Sequence, residues 1–439
     1  MGSEWKDCEL GDVIEFKRGY DLPKTIRGAG DIPVISSSGK SGFHNEFKVM
    51  APGVVTGRYG TIGEVFYLDT NFWPLNTTLY VCDFKGNDPL FIYYFLKTIS
   101  YSDFIDKAAV PGINRNHIHK AKVKVPKNID CQQKIAKTLK VLDNKISLNN
   151  QINQTLEQMA QTLFKSWFVD FDPVIDNALD VGFFERDLAF PKELLRRVEV
   201  RKVAREGCGF KSLPEDICKL FPAAFEECAE PSLGLGGWVP EGWNIGCISD
   251  VAHYRSKRIE TSELTLTNYI STENMLSDKK GIQQAASLPT VNSVPAYTSG
   301  TVLISNIRPY FKKIWLAKGD GGYSNDVLGF EVNDLKTESY LFNLMYQDTF
   351  FDFMMATSKG SKMPRGDKKA ILGWNIVVPP LILRIFFSEK VSDFYTVGHL
   401  RDHENTILTN LRDTLLPKLI SGELSLSDIN IDSVDGALA

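Results

Sequence analysis

A self-similar pattern with a period of about 250 residues runs through the chain, and it restricts the fold to two copies of one plan. Trp5 and Leu10-Gly11-Asp12-Val13 near the start return as Trp243 and Ile248-Ser249-Asp250-Val251. Gly53-Val54-Val55 matches Gly300-Thr301-Val302, Asn76 and Leu79 match Asn325 and Leu328, and Asp103-Phe104 matches Asp352-Phe353. Pro111, Ile118, Val125 and Pro126 then recur as Pro364, Ile371, Val378 and Pro379 at a constant offset of 253. Asn153, Leu156, Thr162 and Leu163 recur as Asn405, Leu408, Thr414 and Leu415 at a constant 252. A fixed offset with the hydrophobic phase preserved is the signature of a tandem duplication.

Both copies have the same internal order. A strand- and turn-rich globule comes first, with segments such as Gly53-Val54-Val55-Thr56 and Thr301-Val302-Leu303-Ile304-Ser305 set between Gly, Pro and Asn. A short amphipathic helix is expected near 88–100 and near 337–349. Each globule ends in a β-branched strand closed by proline, Val123-Lys124-Val125-Pro126 and Ile376-Val377-Val378-Pro379-Pro380. The period then becomes helical. From 131 to about 168, Leu139, Leu142, Ile146, Leu156, Ala160, Leu163 and Trp167 form a seam interrupted by Asn149 and Asn153. From about 387 to 420, Val391, Phe394, Leu408, Leu415 and Leu419 form another, broken by Gly398, Arg401, Asn405 and Arg412. Each stripe needs a partner, and the duplicated helix supplies it.

The expected fold is therefore α+β, with two mixed α/β globules related by a pseudo-two-fold axis and joined by two long antiparallel helices in a coiled coil. The expected boundaries are a first globule at 1–129, its helix at 130–169, a linker or insert at 170–237, a second globule at 238–380, its helix at 381–424 and a tail at 425–439. The insert has no counterpart in the other copy. It carries a basic stretch from Leu194 to Arg205, readable either as a solvated helix face or as a contact for phosphate or a partner.

Catalytic signatures are missing. At Gly39-Lys40-Ser41 the phosphate-loop pattern fails, because position 34 is Val where the leading Gly belongs, and no G-x-G-x-x-G occurs. Six histidines are scattered away from carboxylates and cysteines, and seven cysteines include no C-x-x-C pair, so neither a disulfide framework nor a zinc cluster is indicated. No apolar run reaches the roughly 18–20 residues of a membrane span, and the first residues lack a basic-then-apolar leader, so a soluble, cytoplasmic chain is expected. A net charge of −4 excludes a globally basic coat but leaves room for local basic faces.

The residue supply suits recognition instead. Ser36-Ser37-Ser38-Gly39-Lys40-Ser41 in the first globule answers to Ser271-Thr272-Glu273-Asn274 in the second. Arg58-Tyr59-Gly60 answers to Arg308-Pro309-Tyr310-Phe311-Lys312-Lys313. Asn114-Arg115-Asn116-His117 answers to the run Lys362, Met363, Pro364, Arg365, Gly366, Asp367, Lys368 and Lys369. Arg and Asn read base edges through paired hydrogen bonds, while Lys, Ser and backbone N–H groups hold phosphates. The candidate DNA-contacting residues are thus Ser36, Ser37, Ser38, Lys40, Arg58, Tyr59, Asn114, Arg115 and Asn116 in one globule. In the other they are Ser271, Thr272, Asn274, Arg308, Tyr310, Lys312, Lys362, Arg365, Lys368 and Lys369. No catalytic or metal-ligating residue is assigned.

The whole chain resembles the specificity subunit of type I restriction-modification systems. The resemblance is carried by Val123-Lys124-Val125-Pro126 with Gln132-Gln133-Lys134-Ile135-Ala136, and by Leu415-Leu416-Pro417-Lys418-Leu419-Ile420-Ser421-Gly422-Glu423-Leu424. Trp167-Phe168-Val169-Asp170-Phe171-Asp172-Pro173 and Gly237-Trp238-Val239-Pro240-Glu241-Gly242-Trp243 contribute further. One departure is Leu381-Ile382-Leu383-Arg384, which lacks the Gln-Gln element of the first junction. The resemblance implies a non-catalytic subunit whose two globules each read one half of a bipartite double-stranded DNA site, with the helices as a ruler. It implies two modification (methyltransferase) subunits and restriction-translocase subunits as partners. S-adenosylmethionine, ATP and Mg²⁺ would reside in those partners, with no cofactor in this chain. Two other readings are a metal-dependent nuclease built on Asp31, Glu46 and Lys48, and a coiled-coil adaptor that binds protein.

Overall fold

In a computed structural model, residues 5–106, 111–360 and 362–425 are described. They divide into two compact units, Met1–Gln151 with Arg401–Ala439, and Ile152–Leu400. Unit 1 is built on a four-stranded antiparallel sheet in the order Glu15–Arg18, Thr78–Asp83, Gly53–Gly57, Val65–Leu68. Gly53–Gly57 is buried along its whole length, as its central place demands. Asp88 caps the helix Pro89–Leu96 by accepting from the Phe91 N–H at 2.8 Å, and Phe91, Tyr94 and Phe95 then pack into the core with Phe16 and Val54. A second, smaller sheet pairs Gly39–His44 with Ile32–Ser36 and, in parallel, Ile32–Ser36 with Trp73–Pro74.

Unit 2 repeats this plan. Its main sheet runs Ala252–Tyr254, Val327–Val332, Val302–Ser305, Ile314–Leu316, the same order and sense. In each unit the first strand closes against the last: Trp5 lies opposite Pro126, and Asn244 opposite Val378. One helix expected near 337–349 is two, Glu338–Tyr346 and Asp348–Ala356, because Gln347 adopts an extended conformation between them. That break turns Phe350, Phe351 and Met354 inward.

The long helices are continuous, Ile129–Phe168 and Leu381–Ser421, the second starting one to two turns earlier than its apolar pattern suggests. Within unit 1 they run antiparallel, with Arg412 on Asp143 at 2.8 Å and Glu404 on Asn149 at 2.7 Å. The polar interruptions of the two seams meet one another. Fully buried Asn149 also donates to Asn405 Oδ1 (2.9 Å) and accepts from Arg401 (3.0 Å). Such a cluster fixes register, since a slip would leave buried polar groups unpaired. Within unit 2, Asn153 donates to the Gly398 carbonyl, Phe164 meets Phe387 edge to face, and Trp167 stacks on Phe386.

Matched positions carry different chemistry. In unit 1 the Tyr94 hydroxyl donates to Asp143 at 2.6 Å, and burial plus that carboxylate push the phenol pKa up, so it stays a donor. In unit 2, Asn343 donates to the Tyr395 hydroxyl at 2.8 Å and accepts from Gln161 at 2.7 Å, while the Glu157 carboxylate bonds the Tyr346 phenol.

Residues 170–237 are not a linker. Phe171, Val174, Ile175, Ala178, Phe183, Phe221, Phe225 and Leu235 all belong to the unit 2 core. The basic helix Lys192–Glu206 is neither simply solvated nor free for phosphate. Arg197, Arg201 and Arg205 pair with Asp172, Asp176 and Asp180 of the helix Asp172–Asp180 at a constant separation of 25 residues. One-turn spacing on both helices, in the same direction, makes a ladder between parallel helices.

The missing Gln element of the second junction has a substitute. Buried Gln132 (2% exposed) donates to Asn87 Oδ1 at 2.8 Å and to the Pro126 carbonyl at 3.1 Å, and accepts from the Asp88 N–H at 3.0 Å. It thereby fastens the start of the long helix to the strand-closing proline and to the cap of Pro89–Leu96. Arg384, 252 residues later and 7% exposed, donates to the Pro379 carbonyl (3.2 Å) and to Asp334 (3.1 Å), at the approach to Glu338–Tyr346. Replacing Gln132 by Ala should lower the stability of unit 1, and Arg384 by Ala that of unit 2, each by about 1–3 kcal/mol, read from urea unfolding followed by site-resolved hydrogen exchange. Equal loss of protection in both units from either change would contradict the assignment.

Candidate nucleic-acid interface

In unit 1 the structure brings all three predicted clusters together. The turn at Ser37 and Ser38 joins two strands through Gly39, whose φ of +96° suits glycine, and Ser36 Oγ donates to the Gly39 carbonyl at 2.9 Å. Thr61 donates its hydroxyl to the Ser37 carbonyl at 2.5 Å, tying this turn to the loop holding Arg58 and Tyr59. That loop is tied in turn to the third cluster, since the Ile113 N–H donates to the Arg58 carbonyl at 3.1 Å and Tyr59 bridges Gly112. A Cβ on Gly112 would lie 2.3 Å from the Tyr59 ring, so only glycine permits this approach. Asn114 accepts from the Asn116 N–H and caps the short turn Arg115–Ile118. Lys40 lies over the exposed Phe43 ring at 3.9 Å, and Arg58 over Tyr59 at 4.5 Å. Arg115 and Asn116 are exposed.

Unit 2 assembles its clusters at the corresponding positions. Arg308 N–H donates to the Pro364 carbonyl at 2.8 Å and Ile307 bridges Arg365, joining the second cluster to the third. Lys313 donates to the Thr272 carbonyl at 2.6 Å, joining the first, and burial pushes its ammonium pKa down. Asp367, equivalent to Asn114, caps Lys368–Leu372 by accepting from the Lys369 and Ala370 N–H groups. Its carboxyl is held below the usual range by Lys359 and by those two N–H groups.

The individual side chains divide into anchors and free groups. Asn274 is an anchor, not a reader. It is buried, donating to the Tyr269 and Gln283 carbonyls and accepting from Ser271 N–H, so its hydrogen-bonding capacity is spent inside the turn. Lys312 is engaged by Asp348 at 2.9 Å, and Ser271 and Thr272 are half-buried. Arg365 pairs with Asp326 at 3.1 Å yet stays exposed, and Lys368 faces the Tyr254 ring. Arg308, Lys362 and Lys369 are exposed and have no ion-pair partner among the described residues. Sequence reasoning left Phe43 and Phe311 out of the site. Both are exposed beside a cation, and the signal was an aromatic residue standing in a polar turn.

The nuclease reading finds no site. Asp31, Glu46 and Lys48 are exposed, Lys48 lies over Trp73, and no set of three His, Cys, Asp or Glu among the described residues could hold a metal ion. No helix among them is long and apolar enough to cross a membrane.

Residues 2–158 match the family model of the type I restriction modification DNA specificity domain. The type I restriction enzyme HindI specificity subunit of Haemophilus influenzae is 23% identical, with 96% of this chain and 100% of the relative covered. Residues 2–158 thus resemble a type I DNA specificity domain, and the likeness to a specificity subunit extends over most of the chain. The MjaIX specificity subunit of Methanocaldococcus jannaschii is 22% identical, over 77% of this chain and 70% of the relative. The crystal structure of a type I restriction-modification S subunit from M. genitalium shares the fold, with a TM-score of 0.54 at 15% identity, covering 95% and 96% of the two chains.

If Asn274 is an internal anchor, Asn274→Ala should lower the unfolding free energy by about 1–3 kcal/mol, because three backbone groups lose their partner. Among duplexes, preference should be unchanged at a concentration where the variant is folded. A changed base preference in a competition binding assay would return Asn274 to the reading set.

Proposed function

We propose that each unit reads one half of a bipartite, asymmetric double-stranded DNA site, and that the two long helices set the interval between the halves. The observation that carries this reading is that three polar clusters, far apart in sequence, converge at corresponding places in both units with different side chains in each. Equivalent scaffolds with unlike contact residues favour two different half-sites. Half-buried Arg58 and exposed Arg115 on one side, and exposed Arg308, Lys362, Arg365 and Lys369 on the other, suit base edges and phosphates. A helix of 40 residues spans roughly 60 Å, and a duplex rises about 3.4 Å per base pair, so a rigid pair of this length has the scale of a DNA spacer.

The chemistry then belongs to partners. By family likeness, two modification subunits would dock on the helices and globule flanks, bringing S-adenosylmethionine and a base-flipping pocket. Restriction-translocase subunits would bring ATP and Mg²⁺, and the assembly would work in the cytoplasm.

Methylation mapping in cells that express this chain with its methyltransferase partner should give one motif of two unlike halves around an unread gap. Deleting about seven residues, two helical turns, within 139–160 should shorten the gap and leave both halves intact. A change in the bases of either half would refute the ruler. Arg365→Ala or Lys369→Ala should weaken or relax one half-site only, by about 1–3 kcal/mol where a base contact is lost. An equal effect on both halves would assign these side chains to general affinity.

A further inference from the structure

The loop between Val302–Ser305 and Ile314–Leu316 presents two neighbouring aromatic rings that no core claims. Tyr310 and Phe311 are 49% and 37% exposed, with ring centroids 4.6 Å apart. Exposed aromatics on a pliable loop would fold back onto apolar surface, and here the backbone prevents it. Arg308 (φ 51°) and Lys312 (φ 49°) flank the single turn Pro309–Phe311 in the left-handed conformation that residues with a Cβ rarely adopt.

Both ends are pinned. Arg308 N–H donates to the Pro364 carbonyl at 2.8 Å, and Asp278 and Lys279 N–H groups donate to the Phe311 and Lys312 carbonyls at 2.8 and 3.0 Å. Asp348 holds Lys279 and Lys312 at 2.7 and 2.9 Å, and these two ammonium groups keep its carboxyl below the usual range. Pro309 is buried beneath the turn. Strained, over-determined backbone that raises two rings from a surface carrying Arg308, Lys362 and Arg365 is a rigid projection set among cations.

We propose that Tyr310 and Phe311 form an aromatic wedge that enters the duplex at the half-site read by unit 2 and unstacks a base step there. Rings inserted between base steps kink DNA, and the surrounding cations draw the phosphates onto the protein surface. The occupant is duplex DNA and not a protein, because the rings share their loop with the unpaired cation Arg308, and the Lys313 ammonium lies 5.7 Å from the Phe311 ring centroid. Among the described residues of unit 1, the corresponding loop carries no such pair of rings. At the corresponding place Tyr59 is packed on Gly112 and covered by Arg58. Distortion is therefore one-sided, and flexible pyrimidine–purine steps are favoured under the wedge. The inference rests on the DNA-reading function proposed above.

The test uses the full chain assembled with its methyltransferase partner, on duplexes holding the mapped site with 2-aminopurine placed in turn at each step. Apart from the base flipped for methylation, binding should raise fluorescence several-fold at one further step of the unit 2 half and at none of the unit 1 half. The double variant Tyr310→Ala/Phe311→Ala should lose the rise and bind about tenfold or more weakly, whereas Tyr310→Phe should keep both. Sequence-dependent protection without a fluorescence rise, or a rise that survives the double variant, overturns the wedge alone. Loss of the methyltransferase from the purified double variant, with the rise intact, overturns it in favour of a protein contact. No sequence-dependent protection at all overturns the DNA-reading function, and the wedge with it.

Discussion

One buried polar side chain in each unit fixes where the long helix departs, and the remaining architecture depends on it. A strand that ends in proline cannot continue its ladder, so the chain must leave the sheet at Pro126 or Pro379. The direction of departure is still open at that point. Gln132 and Arg384 close it by holding the proline carbonyl and the entrance to the neighbouring helix at once. Because both are buried, a helix leaving at another angle would strand their donors away from water. An amide does this in one unit and a guanidinium with its Asp334 counter-ion in the other.

The two copies thus keep geometry and exchange chemistry. The sheet order, the closing strand pair and the capped turn beside the third loop cluster are held in common. The networks that tie helix to globule run through Asp143 and Arg412 in unit 1, and through amides, phenols and the Glu157 carboxylate in unit 2. Divergence of this kind is tolerated because a buried network must be satisfied, and the identity of its members matters less than their completeness. The loop clusters have diverged further, as the proposed reading of two unlike half-sites requires.

Periodicity made the duplication, the strand–proline–helix junctions and the coiled-coil seams legible in the amino-acid sequence, since these obey local rules. Three features obey no such rule. The acids of the ladder stand 25 residues from their arginines across a turn, so Arg197, Arg201 and Arg205 read as an unpaired basic run. Asn274 reads as a ligand-facing polar residue, because an internal cap and a ligand contact use the same side chain. Gln347, which splits one expected helix in two, is a good helix former whose extended conformation comes from tertiary packing of Phe350 and Phe351. The loop clusters come together in the fold, but which of their members are spent on the scaffold is visible only from their hydrogen bonds.

The Arg–Asp ladder has an electrostatic consequence. Three guanidinium groups matched by three carboxylates cancel one another at short range, and beyond about one Debye length the most basic stretch of the chain is nearly invisible. A polyanion approaching the molecule is therefore not drawn to that helix. With an overall charge of −4, the unmatched cations at the loop tips are among those left to attract it, which favours a first encounter at the surfaces proposed to discriminate.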